Sequence, residues 1–152
     1  MDLYVVLDDI RSALNVGAIF RTCDAVGAKK LFLTGITPYP PHNRIPKTAL
    51  GAIDYVDWEY TKDKAHVINH LREQKISILS IELTEKATNL HDYQFPNTPT
   101  ALVFGNEITG VSDEYINSSN ETLYVPMYGK KESLNVATTV GITAYEFARQ
   151  TY

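Results

Sequence analysis

The sequence contains a single cysteine, Cys23, so no internal disulfide can form and a reducing compartment is expected. It holds no apolar run approaching the roughly 20 residues that a membrane-spanning helix needs. The opening stretch, MDLYVVL, is too short for a signal peptide and carries an acid at Asp2. These absences point to a cytoplasmic protein with no membrane partner. No repeat or low-complexity tract interrupts the chain. Excess positive charge is also missing: 14 Lys and Arg face 18 Asp and Glu, which argues against a surface that grips nucleic acid throughout. Neither G-x-G-x-x-G nor a Walker A sequence occurs, so dinucleotide-binding and P-loop readings lack their fingerprints. His66 and His70 stand at a metal-ligand spacing, but residue 67 is Val where a zinc protease has Glu, and no third ligand is evident; no metal is expected.

What is present suits one folded domain spanning 1–152, with 44% hydrophobic and 21% charged residues. Charge is unevenly spread. Residues 1–50 carry six basic and four acidic side chains, 51–122 five and twelve, and 123–152 three and two, so the two ends can still form a local basic site. Short Val- and Leu-rich runs alternate with helical patterns. Strands are predicted at 3–7, 30–34, 55–60, 76–83, 100–104 and 121–125, with helices over about 15–26, 61–74, 112–117 and 135–149. Asn15, Thr61, Ser112, Ser133 and Asn135 are candidate caps. The alternation implies an α/β fold with a mostly parallel six-stranded sheet flanked by helices. On the last helix Val136, Val140, Ala144 and Phe147 form one apolar stripe, while Ile142, Tyr145 and Tyr152 form a second that suits a partner subunit.

Three stretches at strand ends carry polar groups beyond the needs of packing, and ligands bind there in open α/β sheets. In NVGAIFRTCDAVG, Asn15 and Arg21 bracket a helix's amino end, which favours an anion; a plain cap with a solvated Arg21, or an Arg21–Asp24 pair, is the competing reading. In FGNEITG, Gly105 and Gly110 flank Glu107 directly after a buried strand and let a ligand approach the backbone. In LYVPMYGKKESLNVATTVG, two lysines and Gly-x-x-x-Ser-Leu-Asn follow another strand. Cys23 falls mid-helix on the apolar stripe without a neighbouring base, so inert packing is expected of it. The loop 35–46 holds four of the seven prolines, with Tyr39, His42 and Arg44 placed to stack on bases or meet phosphate, or to serve structure alone.

Taken together, NVGAIFRTCDAVG, FGNEITGVS and VPMYGKKESLNVA resemble the three signature motifs of the SpoU/TrmH branch of the SPOUT RNA methyltransferases, in order and across nearly the whole chain. The resemblance implies an α/β knot with a C-terminal trefoil knot, S-adenosylmethionine held in a bent form, and active sites completed across a homodimer. No further RNA-binding domain is evident at either end. By position, the cofactor would lie against Gly105, Val125, Met127 and Leu134, with Glu82 a weaker candidate. Arg21 would be the catalytic residue, with Asn15, Glu107, Ser133 and Asn135 around it. The implied reaction is ribose 2'-O-methylation of tRNA or rRNA. A catalytically silent RNA-binding protein on the same fold is the alternative, and a base-methylating variant stays open as well.

Overall fold

The computed structural model describes residues 1–152. Along the chain run β1 (Leu3–Asp8), α1 (Ala13–Val26), β2 (Lys30–Thr34), α2 (Pro46–Ala49), β3 (Trp58–Thr61), α3 (Lys64–Glu73), β4 (Ser77–Ile81), β5 (Thr88–Asn89), β6 (Thr100–Phe104), α4 (Asp113–Ser118), β7 (Glu121–Tyr124) and α5 (Val136–Thr151). Every strand pair is parallel, and the sheet order is β3-β2-β1-β6-β4-β7-β5. The sheet has seven strands, not six: Thr88 and Asn89, in a polar segment where no strand is predicted, pair with Leu123 and Tyr124. Two residues are too few to display a period of two, so this edge strand leaves no sequence signature.

A sheet covered on both faces needs strands that are apolar on both sides, and these are. Leu3, Val5 and Leu7 of β1, with Leu31, Leu33, Leu102 and Phe104, face a core closed by Ile19, Phe20 and Cys23 of α1 and by Val140, Ala144 and Phe147 of α5. The alternate residues Val6, Phe32, Ile78 and Val103 face a second core closed by Val67, Ile68 and Leu71 of α3 and by Tyr115 of α4. Each fully buried Leu or Phe contributes about 1.5–3 kcal/mol of transfer free energy, so the two cores hold the layers in place and leave the loops free for chemistry. Cys23 is fully buried and its thiol is pushed up to about 12 by that burial, as packing rather than nucleophilic duty requires.

Helix ends differ from the expected ones where two capping residues compete. Ser12, not Asn15, caps α1: its Oγ accepts from the Asn15 N–H at 3.2 Å. Asp63, not Thr61, caps α3 through the Ala65 N–H. Asn135 caps α5, accepting from Ala137 N–H at 2.9 Å and Thr138 N–H at 3.3 Å, whereas Ser133 caps nothing. Gly27 ends α1 with φ 69°, the left-handed conformation that glycine takes without strain. The predicted third strand starts at Trp58 rather than Tyr55, because residues 52–54 form a 3-10 turn against α1. Arg21 and Asp24 form no ion pair.

Candidate functional site

The crevice lies at the carboxyl ends of β4, β6 and β7, beside the point where β1 hands over to strands on either side of it. Residues 105–110 form a closed loop. Asn106 and Gly110 exchange backbone hydrogen bonds at 3.1 and 2.9 Å, and Asn106 Oδ1 accepts from the Ile108 and Thr109 N–H groups. Asn106 Nδ2 donates to the Asp9 carbonyl at 2.7 Å, fastening the loop to the end of β1. Gly110 has φ 77°, and a methyl group there would run into the Glu82 carboxylate, which accepts from the Val111 N–H at 2.9 Å. Glu82, one residue past β4, therefore holds the loop from the other side.

Glu107 joins this loop to the other two motif segments. Its carboxylate accepts from the Arg11 N–H at 2.8 Å, the Ser12 N–H at 3.0 Å and Asn15 Nδ2 at 3.1 Å. Asn15 Oδ1 in turn accepts from Asn135 Nδ2 at 3.2 Å, and Asn135 Oδ1 caps α5. One relay thus runs from the loop after β6 through the start of α1 to the start of α5. Because Ser12 has taken over capping, the Asn15 side chain is free for this duty. Partial burial works against the charge on Glu107, but the Arg11, Ser12 and Glu107 N–H groups and the Asn15 amide outweigh it and hold the carboxyl below its ordinary range. An ionised acid with its lone pairs engaged orients its neighbours; it is a poor proton acceptor.

A cavity of about 420 Å³ opens here, within the size range of small-molecule sites. Gly105, Val125, Met127, Leu134 and Glu82 all line it, as do Glu107, Ser133 and Asn135. Asn15 stands one hydrogen bond behind the lining, and Arg21 lies outside it, exposed and with no side-chain hydrogen bond or ion pair within the chain. From Val125 to Leu134 the backbone makes no hydrogen bond to any other part of the chain. Its N–H and C=O groups along the cavity wall can therefore serve a ligand, while Ile81, Phe104 and Leu134 supply apolar surface. Such a mixture suits a small molecule with both apolar and polar parts.

Two participants escape a reading of the sequence. Arg11 contributes a backbone N–H, which no residue identity announces. Ser12 carries a recognisable signal, a Ser preceding an apolar-periodic run, but the cap is expected at Asn15 instead.

An open parallel sheet with such a crevice at its switch point defines a domain built to bind a nucleotide-like cofactor. Comparison with known proteins narrows the class: residues 2–145 match the SpoU rRNA Methylase family, and the chain belongs to it. It is 31% identical to a tRNA (guanosine(18)-2'-O)-methyltransferase of Aquifex aeolicus, over 98% of this chain and 70% of that protein. The SpoU methyltransferase AviRb from Streptomyces viridochromogenes, solved in complex with AdoMet, superposes with a TM-score of 0.91 at 25% identity, covering 98% of this chain and 60% of that one. A structure concerned with the 2-OH methylation of C/U34 on tRNA gives a TM-score of 0.86 at 27% identity and is covered over 95% of its length. No helix is long and apolar enough to cross a membrane.

Proposed function

We propose that this chain transfers the methyl group of S-adenosylmethionine to a ribose 2'-hydroxyl of tRNA or rRNA. The observation that carries the reading is the relay Glu107–Asn15–Asn135, which brings the three motif segments to one cavity whose wall has free backbone donors and acceptors. Gly105, Val125, Met127 and Leu134 would hold the cofactor, and Glu82 would fix the loop beneath it. When bound, S-adenosylmethionine supplies an electrophilic methyl carbon and a thioether leaving group. A ribose hydroxyl is a weak nucleophile at neutral pH, so the chain must align it and stabilise its developing charge. Arg21, the one exposed and unpaired cation of the first motif, holds a substrate phosphate and balances charge on the attacking oxygen. A guanidinium does not surrender its proton, so the hydroxyl proton leaves to the substrate's phosphate or to water. Ser133 and Asn135 orient the ribose.

A homodimer fits this reading, because Ile142 and Tyr145 leave an apolar patch exposed on α5. Tyr152 is differently employed: its hydroxyl donates to the Val26 carbonyl at 2.7 Å. A C-terminal knot is in keeping with the passage of 125–135 beside the 105–110 loop and its tie to Asn15. One domain over 1–152 and a cytoplasmic location complete the proposal, since the RNA substrates are made and used there.

Incubating the protein with labelled S-adenosylmethionine and bulk tRNA or rRNA is expected to yield a 2'-O-methyl nucleoside on digestion. Cofactor binding without transfer to either RNA, or a methylated base as product, would overturn the assignment of reaction. Neither binding nor transfer would favour a silent RNA-binding protein. Gly110→Ala is a local check. Left-handed strain of ~1–2 kcal/mol, together with the clash at Glu82, should weaken cofactor binding about tenfold by calorimetry. Unchanged affinity would remove the loop from the cofactor site.

A further inference from the structure

We infer that residues 39–47, with Tyr39 as a stacking platform and Arg44 and Lys47 as phosphate contacts, form a preformed dock for a single-stranded stretch of the RNA substrate. The inference rests on the methyltransferase reading and names the form of RNA it takes. Its first support is where the charges go. Among the basic residues of 1–50, Lys29 pairs with Asp2 at 2.9 Å and Lys30 with Glu59 at 2.8 Å, while Arg11, Arg21, Arg44 and Lys47 make no ion pair. Of the acids there, Asp2, Asp8 and Asp9 are all paired, which leaves Asp24. The modest excess of the N-terminal third is thus concentrated in a few exposed cations, on a protein whose net charge of −4 repels polyanions elsewhere.

The second support is rigidity. The turn Ile45–Ala49 sits directly on α1: a methyl on Gly17 would strike Thr48 Oγ1 and the Ile45 carbonyl, and Thr48 Oγ1 donates to the Leu14 carbonyl at 2.7 Å. Ile45 and Ala49 are buried, so Arg44 and Lys47 beside them project from a fixed base. Arg21 lies one helical turn beyond Gly17 on the helix that this turn covers. The third support is the platform itself. The Tyr39 ring stacks on Tyr60 with centroids 3.9 Å apart at 18°, Tyr60 Oη donates to the Gly35 carbonyl at 2.6 Å, and Tyr39 is still 44% exposed. An aromatic ring held from behind and open in front suits an unpaired base, worth about 1–3 kcal/mol of stacking, whereas a duplex offers no free base face.

The test measures anisotropy of a fluorescein-labelled single-stranded oligoribonucleotide and of its duplex against wild type, Tyr39→Leu, Tyr39→Phe and the double variant Arg44→Ala/Lys47→Ala. The double variant is expected to bind about tenfold more weakly and to lower the logarithmic salt slope by ~1.4, the value for two phosphate contacts on a single strand. Tyr39→Leu is expected to lose about fivefold or more, with Tyr39→Phe near wild type. Cofactor affinity, which needs none of these side chains, should stay unchanged and reports folding. Single-strand affinities within twofold of wild type in a variant that still binds cofactor would overturn the dock, as would equal or tighter binding of the duplex. A change of oligomeric state without loss of RNA affinity would assign the surface to a protein contact instead. Methyl transfer by the wild type stands or falls separately, so failure of this surface leaves the proposed reaction intact.

Discussion

Replacing Lys64 by Met is expected to destabilise the fold by about 3–5 kcal/mol, the range for removing one partner of a buried ion pair. The ammonium lies 2.7 Å from Asp8 Oδ1 and 2.7 Å from Asp9 Oδ2, with the Asp8 side chain only 1% exposed. Met matches the length of the aliphatic stem, so packing changes little and the loss isolates the charge. Asp8 Oδ2 also accepts from the Ser112 N–H at 2.7 Å, and Asp9 Oδ1 from the Ile36 N–H at 2.9 Å, so these acids pin the start of α4 and the loop after β2. Partial burial opposes the charge on Lys64, but Asp8 and Asp9 outweigh it and hold its pKa above the ordinary value; burial likewise opposes the charge on Asp9, yet Lys64 and the Ile36 N–H hold its carboxyl below the ordinary range. The raised Lys64 contributes stability that is full below the unfolded lysine value of about 10.4 and fades as pH climbs through the folded one. The lowered Asp9 contributes stability that is full above the unfolded value of about 3.9 and fades as pH falls through the folded one. Between those limits the deficit of the variant should be flat with pH. Urea unfolding at neutral pH reads it, and adding Asp8→Asn to Lys64→Met should restore part. A loss under about 1 kcal/mol would mean that the triad is an ordinary surface pair.

That triad also marks the boundary of what the sequence reveals. Adjacent carboxylates after the first strand were visible, but their cation lies 55 residues away and only the pairing of β1, β2 and β3 brings it near. The layer pattern was legible because strand and helix periods are properties of short windows. Likewise legible were the three motif stretches, and all five residues expected to touch cofactor do line one cavity. Less legible was which polar side chain does which local task. Ser12 and Asn15 are both capable caps three residues apart, and the Asn15 side chain is engaged elsewhere: its Oδ1 accepts from Asn135 Nδ2 and its Nδ2 donates to Glu107 after the neighbouring strand. The seat of Ile45–Ala49 on Gly17 was hidden for the same reason: a glycine inside a helix announces a close approach without naming the visitor.

Arg21→Ala is expected to lower methyl transfer at saturating cofactor and RNA by about 10²–10³-fold, the cost typical of removing one donor that stabilises developing negative charge. Cofactor affinity should hold within twofold of wild type, because Arg21 lies outside the cavity and touches none of its lining through a hydrogen bond. The alternative role, a general base, separates by pH. A guanidinium acting as a fixed positive charge adds no ionisation to the rate profile near neutrality, whereas a base must lose its proton over the working range. Arg21→Lys sharpens the comparison: a lysine keeps the charge but not the planar fork, so it should recover part of the rate while weakening engagement of RNA phosphate. Single-turnover transfer with labelled cofactor, paired with calorimetric cofactor binding, separates chemistry from folding and from RNA docking. Near-normal transfer by Arg21→Ala with cofactor bound would leave the reaction without its electrostatic partner in the first motif. Arg11, the nearest other unpaired cation in sequence, held to Glu107 by its backbone at 2.8 Å, would then be the side chain to replace next.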